Sequence, residues 1–403
     1  MLFFNQDEFI KKYITKRQES FFKKDIEANR AELTEKITGK SVLVIGGAGT
    51  IGSSFIKAIL PFRPAKLTVV DYSENGLTEL TRDLRSAYNE FIPHEYITYP
   101  FDFGSDIFAR MYRNNSFDIV ACFAAHKHVR SEKDHLAIEA MIKNNVFNTK
   151  AILDLAMENP PEHFFSVSTD KAANPVNVMG ASKKLMEKVL MAYTNDLKIS
   201  TARFANVAFS NGSLLFGFIQ RILKRQPLSS PNDVKRYFVS PIESGQLCML
   251  ACVLGDSKNI FFPKLDENQM MTFSTIAEHF LREIGMEPDY CQSDEEARVK
   301  AANWEYGMKK YPVYFFTTDT SGEKSYEEFF TKEDMVDMNR FEALGVIKNE
   351  SVPDYQSIDE VLTEFQDMFK NDTVNKAAIV SLLSKHLSDF HHIETGKSLD
   401  QKM

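Results

Sequence analysis

The sequence predicts an α/β fold built on a doubly wound parallel sheet. From Lys40 onward, short apolar runs alternate with amphipathic helical stretches, which is typical of parallel β-α-β units. A glycine-rich turn directly follows the first apolar run, and an aspartate ends the second. These features occur together in Rossmann sheets. We therefore expect a Rossmann domain, joined to a smaller α/β substrate domain and preceded by a helical N-terminal extension.

Size and composition exclude several other classes of protein. The chain has 403 residues, of which 43% are hydrophobic and 26% charged. These values suit two or three globular domains and are too apolar for a disordered chain. The formal charge is −8 at pH 7, so no broad basic face is expected that would bind nucleic acid.

The cysteines and the distribution of apolar residues indicate the cellular environment. Cys122, Cys248, Cys252 and Cys291 form no CxxC pair and have no histidine partners at zinc-finger spacing, so we predict reduced thiols and no metal site. Cys248 and Cys252 lie one helical turn apart in an apolar run and are expected in the core. No stretch has the length and apolar character of a membrane span, and the N-terminus lacks a secretory-signal pattern. A cytoplasmic location is expected.

The pattern of apolar runs predicts the elements and the domain boundaries. Six buried strands are predicted at 41–45, 67–70, 96–99, 118–123, 164–168 and 200–204. Helices are predicted near 53–60, 75–88, 137–157 and 180–195. The predicted domains are a helical extension at 1–39, the Rossmann domain at 40–205, a mixed second domain at 206–350, and a helical C-terminal segment and tail at 351–403. The extension is expected to lie outside the main fold, as an appendage or an assembly surface.

The turn after the first strand, Gly46-Gly-Ala-Gly-Thr-Ile-Gly52, indicates a ligand. Its glycines allow a pyrophosphate to approach the backbone at a helix N-terminus. Asp71 ends the second strand, 71 − 52 = 19 residues beyond the last glycine, where an acid accepts the ribose hydroxyls of a dinucleotide. Because a carboxylate repels a 2′-phosphate, NAD is predicted in preference to NADP. Asp102, just past the third strand, is either an adenine contact or a turn aspartate.

Polar side chains follow the fourth and fifth predicted strands, in Ala124-Ala-His-Lys-His-Val129 and Ser168-Thr-Asp-Lys-Ala172. Ligands of open parallel sheets bind beyond the carboxyl ends of the strands, so both clusters are expected to face the cofactor. His126 or His128 alone would more often be a hydrogen-bonded structural residue. Seven titratable or hydroxyl side chains at two strand ends are more than packing requires, and they indicate chemistry.

These segments resemble the extended short-chain dehydrogenases/reductases and, within that class, the polysaccharide-biosynthesis UDP-N-acetylglucosamine 4,6-dehydratases. The most specific match is Ser168-Thr-Asp-Lys-Ala-Ala-Asn-Pro175. Further matches lie at Gly46–Gly52, Asp71–Glu74, Ala124–Val129, Asn145, Met179–Lys183 and Arg203–Asn206, with weaker ones at Arg236–Ser240, Phe262–Lys264 and Gly322–Lys324. The resemblance covers about residues 40 to 330.

The resemblance also implies which residues bind the two ligands. The cofactor residues it implies are Gly46, Gly47, Gly49, Thr50, Ile51, Gly52, Asp71, Ser73, Asp102, Ala124, Ala125, Lys127, Asn145, Ser168 and Lys183. The residues it implies for a UDP-sugar are Lys127, His128, Asn206, Ser213, Arg236 and Lys324. Relatives usually carry an arginine for the diphosphate where this chain has Thr320, so the nucleotide and the exact sugar stay open.

One departure from the wider class affects the mechanism. Most members place a tyrosine four residues before the lysine, where it takes the proton of the substrate hydroxyl, but this chain has Met179 before Lys183. A thioether cannot titrate, so Asp170 is predicted to take that proton, directly or through Thr169 or a water. A subset of the 4,6-dehydratases is similar in carrying methionine here. Lys183 is expected to bind the nicotinamide ribose.

The implied reaction is an internal redox cycle. Hydride leaves carbon 4 of the sugar for NAD, and the resulting ketone acidifies the hydrogen on carbon 5. Lys171 is predicted to abstract that hydrogen as a proton, while Asp170 gives its proton to the hydroxyl that leaves carbon 6 as water. Hydride then returns to carbon 6, so no net oxidation occurs.

Two other functions stay open. A UDP-sugar 4-epimerase would share the fold and the cofactor but would need no acid and base for elimination. A catalytically silent NAD-binding regulator would explain Met179 and Thr320. A homodimer or higher homo-oligomer is expected, formed through the helices near 137–157 and 180–195 as is usual for the class. The stretch 290–316 carries no interpretable pattern.

Overall fold

Strands and helices alternate along the chain much as predicted. The computed structural model describes residues 4–324, 326–349, 352–370 and 374–397. The N-terminal helices are α1 (Gln6–Phe9), α2 (Lys23–Ala28) and α3 (Arg30–Ile37). The alternating part contains β1 (Ser41–Ile45), α4 (Thr50–Ile59), β2 (Lys66–Val70), α5 (Glu74–Ala87), β3 (Glu95–Tyr99), α6 (Asp106–Arg113), β4 (Ile119–Cys122), α7 (His135–Ile142), α8 (Asn148–Glu158), β5 (His163–Val167), α9 (Val178–Ala192) and β6 (Ile199–Ala202).

The second half of the chain is less regular. Its elements are β7 (Asn206–Val207), α10 (Leu214–Leu223), β8 (Leu228–Pro231), β9 (Lys235–Arg236), β10 (Phe238–Val239), α11 (Pro241–Leu254), β11 (Asn259–Pro263), β12 (Met271–Thr272), α12 (Phe273–Glu283), β13 (Glu287–Tyr290), α13 (Asp294–Ala302), β14 (Lys310–Phe316), β15 (Val336–Asp337), β16 (Leu344–Lys348), α14 (Tyr355–Phe369) and α15 (Lys376–His386).

The large sheet confirms the predicted fold class. Its strand order is β15-β16-β11-β6-β5-β4-β1-β2-β3. Strands β1 to β6 and β11 run parallel, and their buried runs carry mostly β-branched and aromatic residues. The order 3-2-1-4-5-6 reverses direction between β1 and β4, and this switch point is where such sheets bind ligands.

The large sheet is wider than the sequence predicted. Strands β11, β16 and β15 all come from the stretch assigned to the second domain, and the last two run antiparallel to their neighbours. Helix α11 packs closely on α4. The second unit is therefore smaller: a three-stranded sheet in the order β13-β14-β8, two short strand pairs, and helices α10, α12 and α13. Residues 290–316 supply α13 and all of β14 to it.

The N-terminal extension is packed into the protein, which corrects the expectation that it lies outside the main fold. Phe9, Ile10 and Ile14 of its first turns join the core of the second unit, where they share a cluster with Phe209, Phe218 and Phe280. Phe22, Leu33 and Ile37 join the core of the large sheet instead. Arg17 forms two hydrogen bonds of 2.8 Å to the Glu243 carboxylate on α11. The extension thus joins the two units and accounts for some of the many phenylalanines.

The C-terminal helices cover α9, one of the two helices through which a dimer was predicted. Helix α9 has no exposed residue. Its apolar face shares a core with residues of α14 and α15: Ile358, Leu362, Phe365, Ile379 and Leu383. Lys188 on α9 also donates a 2.9 Å hydrogen bond to the His386 carbonyl. The helix at 178–192 therefore packs against its own chain rather than offering a face to a partner subunit.

The cysteines lie where the sequence predicted. All four are free and buried, and Cys248 and Cys252 belong to the core that α11 shares with the large sheet. Burial raises the pKa of the Cys122 thiol to about 11, so it stays protonated at neutral pH. Within the ranges that the structure describes, no helix is both long and apolar enough to cross a membrane.

A buried ion pair links the carboxyl ends of β5 and β6 to a distant segment. Arg203 donates to both carboxylate oxygens of Glu187 on α9, at 2.9 and 2.7 Å, and both side chains are almost completely buried. Ser168, at the end of β5, donates to the same carboxylate at 2.6 Å. Arg203 also donates to the Phe329 carbonyl at 2.9 Å. The pair therefore positions residues around 329 against the strand ends.

Replacing Glu187 with glutamine is expected to lower the free energy of unfolding by about 3–5 kcal/mol, because it leaves the Arg203 charge buried without its partner. Urea denaturation followed by circular dichroism measures the change. Glu158→Gln is the matched control, since Glu158 pairs with Arg113 on the surface and should change stability little. Equal stability of the two variants would show that the buried pair has no such role.

Candidate functional site

The glycine-rich turn has the geometry that a dinucleotide diphosphate requires. Gly46 has φ +74°, and a Cβ atom there would lie 2.5 Å from the Ala124 backbone nitrogen. A Cβ on Gly52 would lie 2.4 Å from the Gly46 carbonyl oxygen. These contacts explain why both positions are glycine. The turn leads directly into α4, whose free N–H groups and dipole favour a phosphate.

Asp71 is buried beneath this turn. Its Oδ2 accepts a hydrogen bond from the Ala48 backbone N–H at 3.0 Å and its Oδ1 accepts one from Ser73 at 2.9 Å. Each carboxylate oxygen can accept more than one hydrogen bond, so Asp71 can still receive ribose hydroxyls. The Ser73 hydroxyl is used as the N-cap of α5.

Asp102 and Ser168, both predicted to contact the cofactor, have other partners. Asp102 is exposed, and its carboxylate accepts from the Gly104 backbone N–H at 2.8 Å, which is the turn role that the sequence left open. The Ser168 hydroxyl donates to Glu187, away from any open surface, because the side chain is buried. The structure therefore assigns the Ser168 side chain to packing rather than to ligand binding.

Asn145 holds the loop that follows β4. Its Oδ1 accepts from the His126 backbone N–H at 2.8 Å, and its Nδ2 donates to the His126 carbonyl at 2.9 Å and to Ser182 at 3.0 Å. Both amide hydrogens are used, so Asn145 positions the loop and is not the direct cofactor ligand that was predicted. The loop leaves Lys127 and His128 exposed, and His128 lies beside Gly212 of the second unit.

Asp170 and Lys171 come together at the end of β5, as the sequence predicted. Asp170 is buried, and its Oδ1 accepts from the Thr169 hydroxyl at 2.9 Å, the Lys171 backbone N–H at 2.9 Å and the Lys171 Nζ at 3.1 Å. All three bonds fall on one oxygen, so Oδ2 can accept a substrate hydroxyl proton. The Lys171 side chain beside this carboxylate is 16% exposed.

Glu327 belongs to the same cluster, although the sequence gave no sign of it. Its Oε1 lies 3.5 Å from the Lys171 Nζ and 3.8 Å from Arg236 Nη2, and its side chain is 3% exposed. Burial lowers the pKa of Lys171, but Asp170 and Glu327 more than offset this, and the net pKa is raised. Burial also raises the pKa of Glu327. The contact forms only because the fold brings residues around 327, which are distant in the sequence, close to Lys171.

Arg236 and Lys324 were predicted to bind the substrate, but both have partners inside the protein. Arg236 is buried, donates to the Lys324 carbonyl at 3.0 Å and lies 3.8 Å from the Glu323 carboxylate. Lys324 Nζ donates to the Asn174 carbonyl. The two side chains therefore fix the segment around 324 against the acid–base cluster. Thr320, where relatives usually have arginine, is buried.

The C-terminal tail, residues 391–393, is hydrogen-bonded to the loop that follows Lys171. The backbone N–H groups of His391 and Ile393 donate to the carbonyls of Pro175 and Val176 at 3.1 and 2.9 Å. The Ile393 carbonyl accepts from Gly322 at 2.9 Å. This tail therefore joins the loop of Lys171 to the segment that carries Glu327, a link between distant parts of the chain that no local pattern indicates.

Met179 and Lys183 are one turn apart on α9, and both are buried. Lys183 Nζ donates to the Val167 carbonyl at 2.7 Å and lies 3.0 Å from the Met186 sulfur. Burial lowers the pKa of Lys183 to about 8. Its ammonium is thus held at the end of β5 by the Val167 carbonyl.

Asn206, on β7, has a side-chain donor without a partner among the described residues. The Asn206 Nδ2 is buried and makes no hydrogen bond within the described residues. A buried donor of this kind is costly unless a ligand satisfies it, so it favours Asn206 as a substrate contact. Ser213, also predicted, caps α10 through its hydroxyl. The Asn211 backbone N–H donates to Thr50 at 2.9 Å and joins this segment to the start of α4.

Comparison with known proteins agrees with this geometry. The family described as polysaccharide biosynthesis protein matches residues 42–349. The chain belongs to this family. The predicted resemblance is thereby confirmed, and nucleotide-sugar dehydratases and epimerases are both found among the relatives.

Three relatives illustrate the range of the match. The uncharacterized membrane protein MJ1061 of Methanocaldococcus jannaschii is 31% identical over 76% of this chain and 85% of its own length. The probable polysaccharide biosynthesis protein EpsC of Bacillus subtilis is 29% identical over 79% of this chain, which spans only 50% of EpsC. The inverting UDP-N-acetylglucosamine 4,6-dehydratase of Campylobacter jejuni is 28% identical over 56% of this chain and 67% of its own length.

A solved structure supports the fold. The dTDP-glucose 4,6-dehydratase DesIV of Streptomyces venezuelae, determined with NAD and TYD bound, superimposes with a TM-score of 0.53. The match covers 72% of this chain and 88% of DesIV at 19% sequence identity.

The buried Lys183 predicts a specific pH dependence of stability. Its folded pKa of about 8 lies below the ordinary lysine value of 10.5, so the unfolded chain binds more protons between these two values. The free energy of unfolding of the native protein should therefore rise, relative to Lys183→Met, as the pH increases from 8 to 10.5. The expected gain is on the order of 3 kcal/mol. Urea denaturation of both proteins at each pH measures it, and parallel pH profiles would contradict the assigned environment.

Proposed function

We propose that this protein is an NAD-dependent nucleotide-sugar 4,6-dehydratase that converts UDP-N-acetylglucosamine to its 4-keto-6-deoxy derivative. The observation that carries the proposal is the buried Asp170 beside Lys171 at the end of β5. An acid and a base side by side are what an elimination needs. The presence of a UDP-N-acetylglucosamine 4,6-dehydratase among the relatives supports the same substrate.

The assignment of NAD as the cofactor is supported by the glycine-rich turn and by Asp71, because both fit parts of a dinucleotide. The turn can accept a diphosphate at the start of α4, and the carboxylate lies where a ribose would follow. Bound NAD would supply reversible hydride transfer between carbon 4 and carbon 6 of the sugar. Gly46, Gly47, Gly49, Thr50, Ile51, Gly52, Asp71, Ala124, Ala125, Lys127 and Lys183 are proposed to hold it. The Asp71 carboxylate favours NAD over NADP, because it would repel a 2′-phosphate.

Asp170 is proposed to act twice. Its Oδ2 takes the proton of the hydroxyl on carbon 4 as the ketone forms, and Thr169 keeps the carboxylate oriented. Lys171 then removes the proton from carbon 5, and Asp170 returns its own proton to the hydroxyl leaving carbon 6. Lys183 contributes positive charge, whereas Met179 is a packing residue that cannot take the role of the usual tyrosine. His128 and Asn206 are the proposed contacts to the sugar nucleotide.

A 4-epimerase is the second candidate, because UDP-glucose 4-epimerases are among the relatives. The pair of Asp170 and Lys171 favours dehydration over epimerisation, since inversion at carbon 4 needs hydride transfer but no elimination. Mass spectrometry separates the two reactions. A dehydratase releases a product lighter by one water molecule, whereas an epimerase product keeps the mass of the substrate.

Asp170→Asn is expected to reduce turnover of UDP-N-acetylglucosamine at least about 100-fold while cofactor binding is retained, because the amide cannot accept the hydroxyl proton. The rate is measured by mass spectrometry of the product, and NAD binding by calorimetry. Asp389→Asn, which alters a partly exposed carboxylate paired with Lys184, is the matched control. Activity of Asp170→Asn within a few-fold of the native enzyme would contradict the assignment.

Asn206→Ala tests the substrate side separately. The loss of its unpartnered amide should weaken binding of UDP-N-acetylglucosamine about tenfold, the effect of one hydrogen bond, and should leave NAD affinity unchanged. Calorimetric titration with each ligand measures both affinities. Unchanged affinity for the sugar nucleotide would remove Asn206 from the site.

A further inference from the structure

Lys171 has to be neutral to remove a proton, but its surroundings favour the ammonium form. Two buried carboxylates lie within 3.1 and 3.5 Å of its Nζ, those of Asp170 and Glu327. The guanidinium of Arg236, 3.8 Å from Glu327, is itself close to a second carboxylate, Glu323. Lys324 acts on Glu327 only at longer range. The lysine therefore needs a nearby group that can take its proton before it can act as a base.

The two carboxylates differ in how well they can accept that proton. Asp170 already receives three hydrogen bonds on Oδ1. Glu327 has only its two ion-pair contacts among the described residues, at 3.5 and 3.8 Å, and burial raises its pKa. Glu327, with fewer donors around it, therefore has carboxylate lone pairs that can take the Lys171 proton.

We infer that Glu327 is a positioning residue that takes the ammonium proton of Lys171 and so releases the neutral amine as the base for carbon 5. This inference rests on the proposed dehydratase function. In the first step the Lys171 N–H bond breaks and a Glu327 O–H bond forms. The amine then takes the carbon 5 proton, and the electron pair of that C–H bond passes into the sugar as water leaves carbon 6. Lys171 later returns a proton to carbon 5, and Glu327 returns its proton to Lys171, so the cycle is balanced.

This transfer makes a specific prediction about pH. Moving a proton from Lys171 to Glu327 leaves the number of bound protons unchanged, so the fraction of neutral amine does not depend on pH around neutrality. Without Glu327, neutral amine forms only by losing a proton to solvent. The base would then become about tenfold more abundant with each pH unit below the pKa of Lys171.

The test is exchange of the carbon 5 hydrogen with solvent, which does not require hydride transfer. The 4-keto-6-deoxy product is incubated with the holoenzyme in D2O between pH 6 and pH 9, and deuterium at carbon 5 is measured by NMR. We expect a flat profile for the native enzyme. For Glu327→Gln we expect exchange on the order of 10–100-fold slower at pH 7 and rising with pH. Glu328→Gln, the same change at the exposed neighbour, should behave like the native enzyme.

Each outcome decides the inference. A flat profile for Glu327→Gln would overturn it, because another group, such as Asp170, would then be the acceptor. A native profile that rises tenfold per pH unit would also overturn it, even if the variant fails to fold. A native enzyme that neither releases the dehydrated product nor exchanges carbon 5 would instead refute the proposed function. Thermal unfolding and NAD titration of each variant show whether the fold is retained.

Discussion

The buried pair of Arg203 and Glu187 is the interaction on which the site depends. It ties the carboxyl end of β6 to α9, and through Ser168 and the Phe329 carbonyl it also holds the end of β5 and the segment that carries Glu327. Such a pair gains little stability over apolar packing, but breaking it is costly. Its value lies in geometry, because it joins β5, β6, α9 and the segment around 329, which are separate in the sequence.

The two lysines of the site differ in the groups that they contact. Lys171 lies between two carboxylates, which keep its charge and give it groups with which to exchange protons. Among the described residues, the Lys183 ammonium donates to a carbonyl and lies beside a thioether, and burial lowers its pKa. One lysine is therefore suited to proton transfer, and the other to placing positive charge where a ribose and a nicotinamide are proposed to lie.

The sequence predicts the parts of this protein that local pattern determines. The first six strands, the glycine turn, Asp71, and the pairing of Asp170 with Lys171 all follow from apolar periodicity and short spacings. The sequence does not predict contacts between segments that are far apart along the chain. Glu327 meets Lys171 only because residues around 329 are tied to β6, and the role of Arg236 as an internal partner follows from the same contact. The packing of α14 and α15 on α9 is likewise a tertiary effect.

In the proposed reaction, one carboxylate and one lysine at the end of β5 carry out an elimination between two hydride transfers. The most direct test uses UDP-N-acetylglucosamine carrying deuterium at carbon 4, incubated with the native enzyme in ordinary water. A dehydratase is expected to give a 4-keto-6-deoxy product with the deuterium at carbon 6. Deuterium returned to carbon 4 of a product with unchanged mass would contradict the dehydratase assignment and identify an epimerase.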